Sequence, residues 1–173
     1  MASSSQKQAE MNIQTFLRIK PSKKPSGYIA PDDLEPDSIS VNLPENFRSE
    51  YIDNSKLNFK FHFNGILPMT TTQDDVFKKV GIPAIQNAFG GFNSTIFAYG
   101  QTGSGKTFTL TGGPVSFHDR GIIPRAIQMI FAEMRKRSDL QIKVYISYLE
   151  IYNEQGYDLL DPSHEVQFVF LIV

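Results

Sequence analysis

The chain contains 173 residues, of which 40% are hydrophobic and 20% are charged, and its 17 basic and 18 acidic side chains leave a net charge of −1. This length and composition are typical of one soluble globular domain, and the balanced charge argues against a general affinity for nucleic acid or another polyanion. With no cysteine, no apolar run of the roughly 20 residues that a membrane helix needs and no signal peptide, we expect neither disulfides nor a membrane partner, and a cytoplasmic protein.

Residues 1–63 have the pattern of short strands separated by loops. Residues 1–10 are polar and predict a disordered leader. A strand is predicted over residues 12–19, and the four prolines within residues 21–37 predict a surface loop after it. Two further strands are predicted from alternating apolar residues, the first with Ile39, Val41 and Leu43 and the second with Leu57, Phe59, Phe61 and Phe63.

A helix is predicted from about residue 72 to residue 89. Thr72 or Asp74 can cap its start, and a glycine pair at residues 90–91 ends it. Pro83 removes a backbone donor within the helix, which predicts a kink or a later start. The apolar face of this helix is expected to contain Val76, Phe77, Val80, Ala84, Ala88 and Phe89.

A short β-branched and aromatic run at residues 95–99 predicts a buried strand that leads into a glycine-rich motif. The motif matches the phosphate-binding loop pattern G-x-x-x-x-G-K-[ST] at every fixed position. Its residues are Gly100, Gln101, Thr102, Gly103, Ser104, Gly105, Lys106 and Thr107.

Each fixed residue of this motif suits contact with a nucleotide. Gly100 and Gly105 permit a tight turn and a close approach of the backbone to a phosphate. The loop N–H groups form an anion-binding nest at the start of a helix. Lys106 supplies positive charge for the β- and γ-phosphates, and the Thr107 hydroxyl is a ligand for Mg²⁺. We therefore predict a nucleotide site rather than a glycine-rich surface turn.

The helix that starts at Lys106 is predicted to break at the Gly-Gly-Pro run of residues 112–114, with a loop over residues 112–120. Helical periodicity resumes at Pro124. A long strand is predicted over residues 141–152, followed by a turn at residues 158–162. The order of strands and helices predicts an α/β fold. The expected apolar face of the second helix contains Ala126, Ile127, Ile130, Phe131 and Met134.

Three sequence motifs carry a resemblance to a known family. They are residues 92–107, the run Gly121-Ile122-Ile123-Pro124-Arg125, and the run Ser147-Tyr148-Leu149-Glu150-Ile151-Tyr152-Asn153-Glu154 with Asp158-Leu159-Leu160-Asp161 after it. In this order and spacing they resemble the kinesin motor domain, and the helix break after the phosphate loop resembles the long loop of that family. Residues 116–120 and 156–158 are most similar to the ninth kinesin class, whose motors are associated with cilia and flagella.

The resemblance implies a P-loop NTPase-type mixed sheet flanked by helices, ATP or ADP with Mg²⁺ as ligands, and microtubules as partner. An Arg-x-x-Pro motif frames the adenine in this family, and here it is Arg18 and Pro21. The residue after the loop threonine flanks the base, and here it is Phe108, whose ring suits stacking. The alternatives are a solvated arginine and a core aromatic. Glu150 and Glu154 are expected to have structural or surface roles.

Two family motifs, Asn-x-x-Ser-Ser-Arg-Ser-His and Asp-Leu-Ala-Gly-Ser-Glu, do not occur in this sequence. Because these switch motifs position the Mg²⁺ shell and the attacking water, we expect an incomplete motor domain with no complete catalytic set, weak stability in isolation, and no main microtubule-binding surface. Residues 11–164 are assigned to the motor domain. Residues 165–173 are assigned to an apolar tail, which is either a splicing or intron artefact or an edge strand.

Three functions are compatible with these observations. The first is the ATP-binding part of a microtubule motor, located on the cytoskeleton and, by the subclass resemblance, in a cilium or flagellum. The second is a truncated product that binds nucleotide without hydrolysis or acts only by interaction. The third is an unrelated P-loop enzyme such as a small-molecule kinase, against which the interrupted helix and the tyrosine-rich strand motif argue. The sequence carries no signal of an oligomeric state.

Overall fold

The computed structural model describes residues 13–32, 34–45, 56–137, 139–161 and 165–166, and the chain forms two compact units, residues 1–130 and 131–173. The predicted leader at residues 1–10 and residues 167–173 of the predicted tail lie outside the described residues. The strands are β1 (Phe16–Arg18), β2 (Ile29–Pro31), β3 (Ser38–Asn42), β4 (Asn58–His62), β5 (Gly65–Leu67), β6 (Leu149–Tyr152), β7 (Gln155–Asp158) and β8 (Glu165–Val166). The helices are α1 (Gln73–Val76), α2 (Ile82–Phe89), α3 (Lys106–Leu110) and α4 (Ile122–Lys136), with a π-helical turn at Phe77–Gly81 and a 3₁₀ turn at Phe117–Asp119.

The first unit contains two small sheets. Strand β1 pairs in parallel with β5, and β2, β3 and β4 form an antiparallel sheet in that order. The two predicted alternating strands are confirmed as β3 and β4. Of the strand predicted over residues 12–19, the described residues 13–19 form a strand only at β1. Strand β2 lies within the predicted proline-rich loop, where Pro31 is tolerated because β2 is an edge strand. Strand β5 was not predicted, because three residues are too few to show alternation.

The helical segment after β5 begins as predicted and then changes its geometry. The Thr72 hydroxyl accepts from the Asp75 N–H while the Asp75 carboxylate accepts from the Thr72 N–H, forming a capping box. Five residues later the backbone widens into the π-helical turn, whose last N–H, from Ile82, reaches the Phe77 carbonyl. Pro83 follows at once. Because it has no N–H and its ring crowds the carbonyl of residue i−4, the predicted perturbation at this proline takes the form of a π turn.

The π turn corrects the predicted apolar face. A turn with one extra residue shifts the phase of the following helix by one position, which is about 100° at 3.6 residues per turn. Ile85 is therefore buried where Ala84 was expected, Phe89 packs against the core, and Ala88 is exposed. The buried core of this unit consists of Leu67, Val76, Phe77, Ile85 and Ile122, with Ile96, Leu110, Ala126 and Ile130 among the partly buried residues around it.

The predicted strand at residues 95–99 is wrong as a paired strand. Residues 92–99, here named the entry stretch, contain no strand, and residues 93–99 make no backbone hydrogen bond with any described residue. Ile96 packs against the core, but Phe97 and Tyr99 are 73% and 96% exposed. The residues alternate as in a strand, but a strand forms only where a neighbouring backbone supplies partners.

Helix α3 ends after five residues and α4 begins two residues before the predicted Pro124. Within the described residues no helix is both long and apolar enough to cross a membrane. Ala126 and Ile130 face the core as expected, while Ile127 and Phe131 are partly exposed.

The second unit contains a three-stranded antiparallel sheet in the order β6, β7 and β8. The turn between β6 and β7 places Asn153 and Glu154 at φ values of 50° and 65°, as a two-residue type I′ hairpin requires. The strand predicted over residues 141–152 is paired only from Leu149 onward, because β7 lies opposite that part alone. The described residues before it form no strand, and Tyr145 is 87% exposed.

Candidate nucleotide-binding site

The phosphate loop (residues 100–107) has a backbone that only glycine adopts without strain at three positions. Gly100, Gly103 and Gly105 have φ values of 153°, 80° and 102°. A Cβ on Gly100 would lie 2.6 Å from the Ser104 Oγ, so this position also lacks space for a side chain. The motif predicts the turn from Gly100 and Gly105 alone; the left-handed Gly103, at a position that the motif leaves open, contributes equally.

Lys106 closes the phosphate loop from inside. Its Nζ donates to the carbonyl oxygens of Gly100 at 2.8 Å and Gln101 at 3.0 Å. The Ser104 N–H donates to the Gln101 carbonyl at 3.1 Å, which adds a turn across the same residues. The ammonium group is therefore held within hydrogen-bond distance of the first two residues of the loop.

The start of α3 presents unpaired donors to the same region. Gly105 is the residue before the helix, and no side chain caps it. The N–H groups of Lys106, Thr107 and Phe108 have no acceptor among the described residues. The first N–H groups of a helix carry partial positive charge. Backbone donors and the Lys106 ammonium thus act in one direction, favouring a phosphate.

A second group of residues, here named the base wall, consists of Arg18, Gln73 and Phe108. Arg18 ends β1, and its NH1 donates to the Gln73 Oε1 and the Thr109 Oγ1, both at 2.8 Å. The guanidinium carbon lies 5.6 Å from the centroid of the Phe108 ring, within the range of a cation–π contact. Burial lowers the pKa of Arg18 below its ordinary value, yet an arginine stays charged near neutral pH.

Gln73 is the member of the base wall that the sequence analysis missed. It is the first residue of α1 and only 5% exposed. Its Nε2 donates to the carbonyl oxygens of Phe108 at 2.6 Å and Asp119 at 3.0 Å. A polar residue directly after a helix cap ordinarily faces water, so the sequence offered no signal of this burial.

Lys20 is a second residue that the sequence analysis passed over. Its Nζ donates to the Gly103 carbonyl at 2.8 Å, which brings a second lysine to the phosphate loop. The signal was present, because Lys20 lies between Arg18 and Pro21 in the Arg-x-x-Pro motif. A cation in that motif was a candidate for contact with the loop.

Both groups of residues border one cleft of about 1500 Å³ in the first unit. The predicted site residues that line it are Arg18, Pro21, Ser104, Gly105, Lys106 and Phe108. Gly100, Gln101, Thr102, Gly103 and Thr107 belong to the phosphate loop without lining the cleft. Apolar side chains also line the cleft, among them Phe16, Val80 and Ile96.

The loop after α3 is tied to the helical segment by Arg125. Its NH1 pairs with the Asp74 carboxylate at 3.0 Å, and its Nε and NH2 donate to the carbonyls of Arg120 and His118 at 2.8 and 3.1 Å. Hydrogen bonding from Lys78 and the charge of Arg125 lower the pKa of Asp74. Arg125, which the sequence indicated only as part of a motif, thus fixes the boundary of the site.

The remaining candidates are two glutamates of the second unit and the threonine at the end of the phosphate loop. Glu150 is exposed on β6 and Glu154 lies in the hairpin turn. Within the described part of the chain, no three His, Asp or Glu side chains are grouped to hold a metal ion. The Thr107 residue is exposed next to the loop donors, which suits Mg²⁺ held by one protein oxygen together with phosphate oxygens and water.

Comparison with known proteins shows which family and which relatives share the sequence of this chain. A family model described as kinesin motor domain matches residues 5–171. Kinesin-like protein KLP1 of Chlamydomonas reinhardtii is 40% identical over 87% of the chain, and kinesin-like protein KIF9 of Mus musculus is 37% identical over 86%. In each case the match covers 19% of the relative, so the chain spans about a fifth of the length of these curated relatives.

The fold matches solved structures as well. The structure of a fast kinesin, described with its implications for ATPase mechanism and interactions with microtubules, superposes on 88% of this chain with a TM-score of 0.72 and 30% identity. The superposition covers 42% of that structure. The predicted α/β kinesin-type fold and the resemblance to the ninth class are confirmed. The boundaries at residues 11 and 164 stay a prediction.

Proposed function

Because this chain belongs to the kinesin motor domain family, we propose that it is the ATP-binding part of a kinesin-like microtubule motor. Kinesin motor domains bind nucleotide with Mg²⁺ and are associated with the cytoskeleton. The observation that carries the proposal is the phosphate loop, in which three left-handed glycines, the Lys106 ammonium and the α3 donors converge.

Each group has one task in nucleotide binding. The loop N–H groups and Lys106 bind the β- and γ-phosphates, with Lys20 adding positive charge at Gly103. The Thr107 hydroxyl holds Mg²⁺, which supplies charge neutralisation of the phosphates when bound. Arg18, Pro21 and Phe108 border the adenine, with the Phe108 ring and the guanidinium that lies over it forming the same wall.

The activity of the complete protein is a further step of the same proposal. Its hydrolysis of ATP would drive movement along microtubules. Support comes from the similar fast kinesin, whose solved structure is described in terms of an ATPase mechanism and interactions with microtubules. The similarity to KIF9 and KLP1 supports a cilium or flagellum as the location. For the 173 residues, the proposed activity is nucleotide binding.

Binding of a fluorescent ATP analogue to the 173-residue chain tests the proposal. We expect saturable binding with Mg²⁺, displacement by unlabelled ATP and ADP, and weaker binding after chelation of Mg²⁺. Microtubule co-sedimentation of the chain and of a longer product tests the partner separately. Absence of saturable binding to a folded chain would refute the nucleotide site.

A further inference from the structure

We propose that Gln73 is the positioning residue of the base wall and sets the selectivity of the site for a nucleoside over free phosphate chains. This inference rests on the proposed nucleotide site and adds a residue to it. Gln73 does not itself bind the ligand; it fixes Arg18 and Phe108, which do.

The carboxamide of Gln73 has each of its hydrogen-bonding sides engaged. The Oε1 accepts from Arg18 at 2.8 Å, and the two N–H groups face the carbonyls of Phe108 at 2.6 Å and Asp119 at 3.0 Å. The reverse orientation would direct the amide nitrogen at a guanidinium and its oxygen at two carbonyls, so the neighbours permit one orientation only. Gln73 is only 5% exposed, so water has little access to these partners.

These contacts define the position of the base wall. The Arg18 NH1 is shared between Gln73 and Thr109, which holds the guanidinium next to the Phe108 ring. Gln73 also fixes the backbone at Phe108, on the first turn of α3. One side chain thus determines the positions of both the cation and the aromatic ring of the base wall.

Gln73 acts on the base wall and not on the phosphate loop. None of its hydrogen bonds reaches residues 100–107, whose geometry is set by their own glycines, Lys106 and Lys20. Its third partner, Asp119, belongs to the 3₁₀ turn that borders the cleft. Loss of the carboxamide therefore removes one of the two partners of the Arg18 NH1 and the bond that holds the Phe108 carbonyl, while Lys106, Lys20 and the loop glycines keep their contacts.

The test compares the affinities of ATP and of inorganic tripolyphosphate, which has the phosphate chain without a nucleoside, for the complete 173-residue chain. Gln73→Met keeps the volume of the side chain and removes its hydrogen bonds. We expect about a tenfold loss of ATP affinity, the equivalent of about 1.4 kcal/mol, and tripolyphosphate affinity within about twofold of wild type. Gln86→Ala, at an exposed glutamine of α2, is the matched control and should change neither affinity.

Gln73→Glu gives a second test if Gln73→Met fails to fold, as judged by circular dichroism. It keeps an acceptor for Arg18 but sets a carboxylate against two carbonyls, so it should lower ATP affinity selectively as well. An equal loss of ATP affinity and tripolyphosphate affinity would show a merely structural role and overturn the inference. Any other result that leaves the ratio of these two affinities unchanged would overturn it as well. A wild-type chain that binds neither probe would overturn the proposed function and this inference together.

Discussion

The phosphate loop and the entry stretch are adjacent in the sequence and differ in what determines their geometry. Apart from the contact of Lys20 with Gly103, the phosphate loop is held by its own residues, since Lys106 donates to carbonyls five and six residues earlier and three glycines adopt positive φ. The entry stretch has the apolar residues of a strand, yet residues 93–99 find no backbone partner among the described residues.

The difference separates local from non-local information. A loop whose donors, acceptors and glycines lie within eight residues adopts its geometry wherever that segment occurs. A strand cannot be held by its own residues in this way, because the partners of its backbone hydrogen bonds lie on another segment. The alternation of half-buried Ile96 and Ala98 with exposed Phe97 and Tyr99 shows that one face is determined by the core and the other is not.

The largest expected effect, on ATP affinity, comes from removing the Lys106 side chain that bonds to the loop carbonyls. Lys106→Ala deletes the ammonium and its bonds to Gly100 and Gln101, so we expect at least about a 100-fold loss of ATP affinity, or about 2.7 kcal/mol. Isothermal titration measures it. Lys24→Ala, at an exposed lysine that does not line the cleft, should bind as wild type does. Equal affinities of the two variants would contradict the role given to Lys106.

Two substitutions in the entry stretch sharpen the contrast between its faces. Ile96→Ala removes a side chain packed against the core and should cost about 1–2 kcal/mol, below the usual cost at a fully buried site. Tyr99→Ala removes a side chain that is 96% exposed, so its effect should stay within about 0.5 kcal/mol. Urea unfolding of both variants provides the measurement, and a larger effect at Tyr99 would reverse the assignment of the faces.

A matched pair of glycines separates backbone strain from function. Gly103 and Gly27 have φ values of 80° and 75°, and a Cβ on either would meet nothing within 4 Å. Substitution by alanine should therefore cost each about 1–2 kcal/mol of stability. Only Gly103→Ala should also weaken ATP binding, by several-fold, because only Gly103 lies in the phosphate loop. Thermal unfolding measures the stability of both variants and titration measures their ATP affinity. Unequal losses of stability, or weaker ATP binding by Gly27→Ala, would contradict the prediction.

Acid should weaken the locally determined start of α1 by a small amount. Hydrogen bonding from Lys78 lowers the pKa of Asp74, and hydrogen bonding from Thr72 lowers that of Asp75, each relative to an unfolded value of 3.8. Since the folded state favours both carboxylates, their contribution is present above the unfolded pKa and is lost as the pH falls through the folded pKa. Melting temperature should be level near neutral pH and fall below about pH 4. Asp75→Asn should reduce that fall.

The sequence predicted the features that a few neighbouring residues determine. The loop at Gly100, the cap at Thr72 and the end of α3 near residue 112 all follow from local chemistry. Features that depend on distant partners were missed, among them Gln73, whose acceptors lie 35 and 46 residues away. The π turn was anticipated only as a kink, because Pro83 indicates that a bond is lost but not how the backbone compensates.

That π turn has a consequence for how the segment tolerates changes of length. Gly81 is the last residue of this turn, and a Cβ there would lie 2.4 Å from the Phe77 ring. The Phe77 ring therefore packs over a position that only glycine can occupy. Deletion of one residue between 77 and 81 would remove the extra residue of the turn, and because the following residues then move back by one position, an ordinary helix would still place Ile85 in the core. A single-codon deletion here should therefore preserve the buried face of α2, whereas a single-codon insertion should rotate it by about 100°.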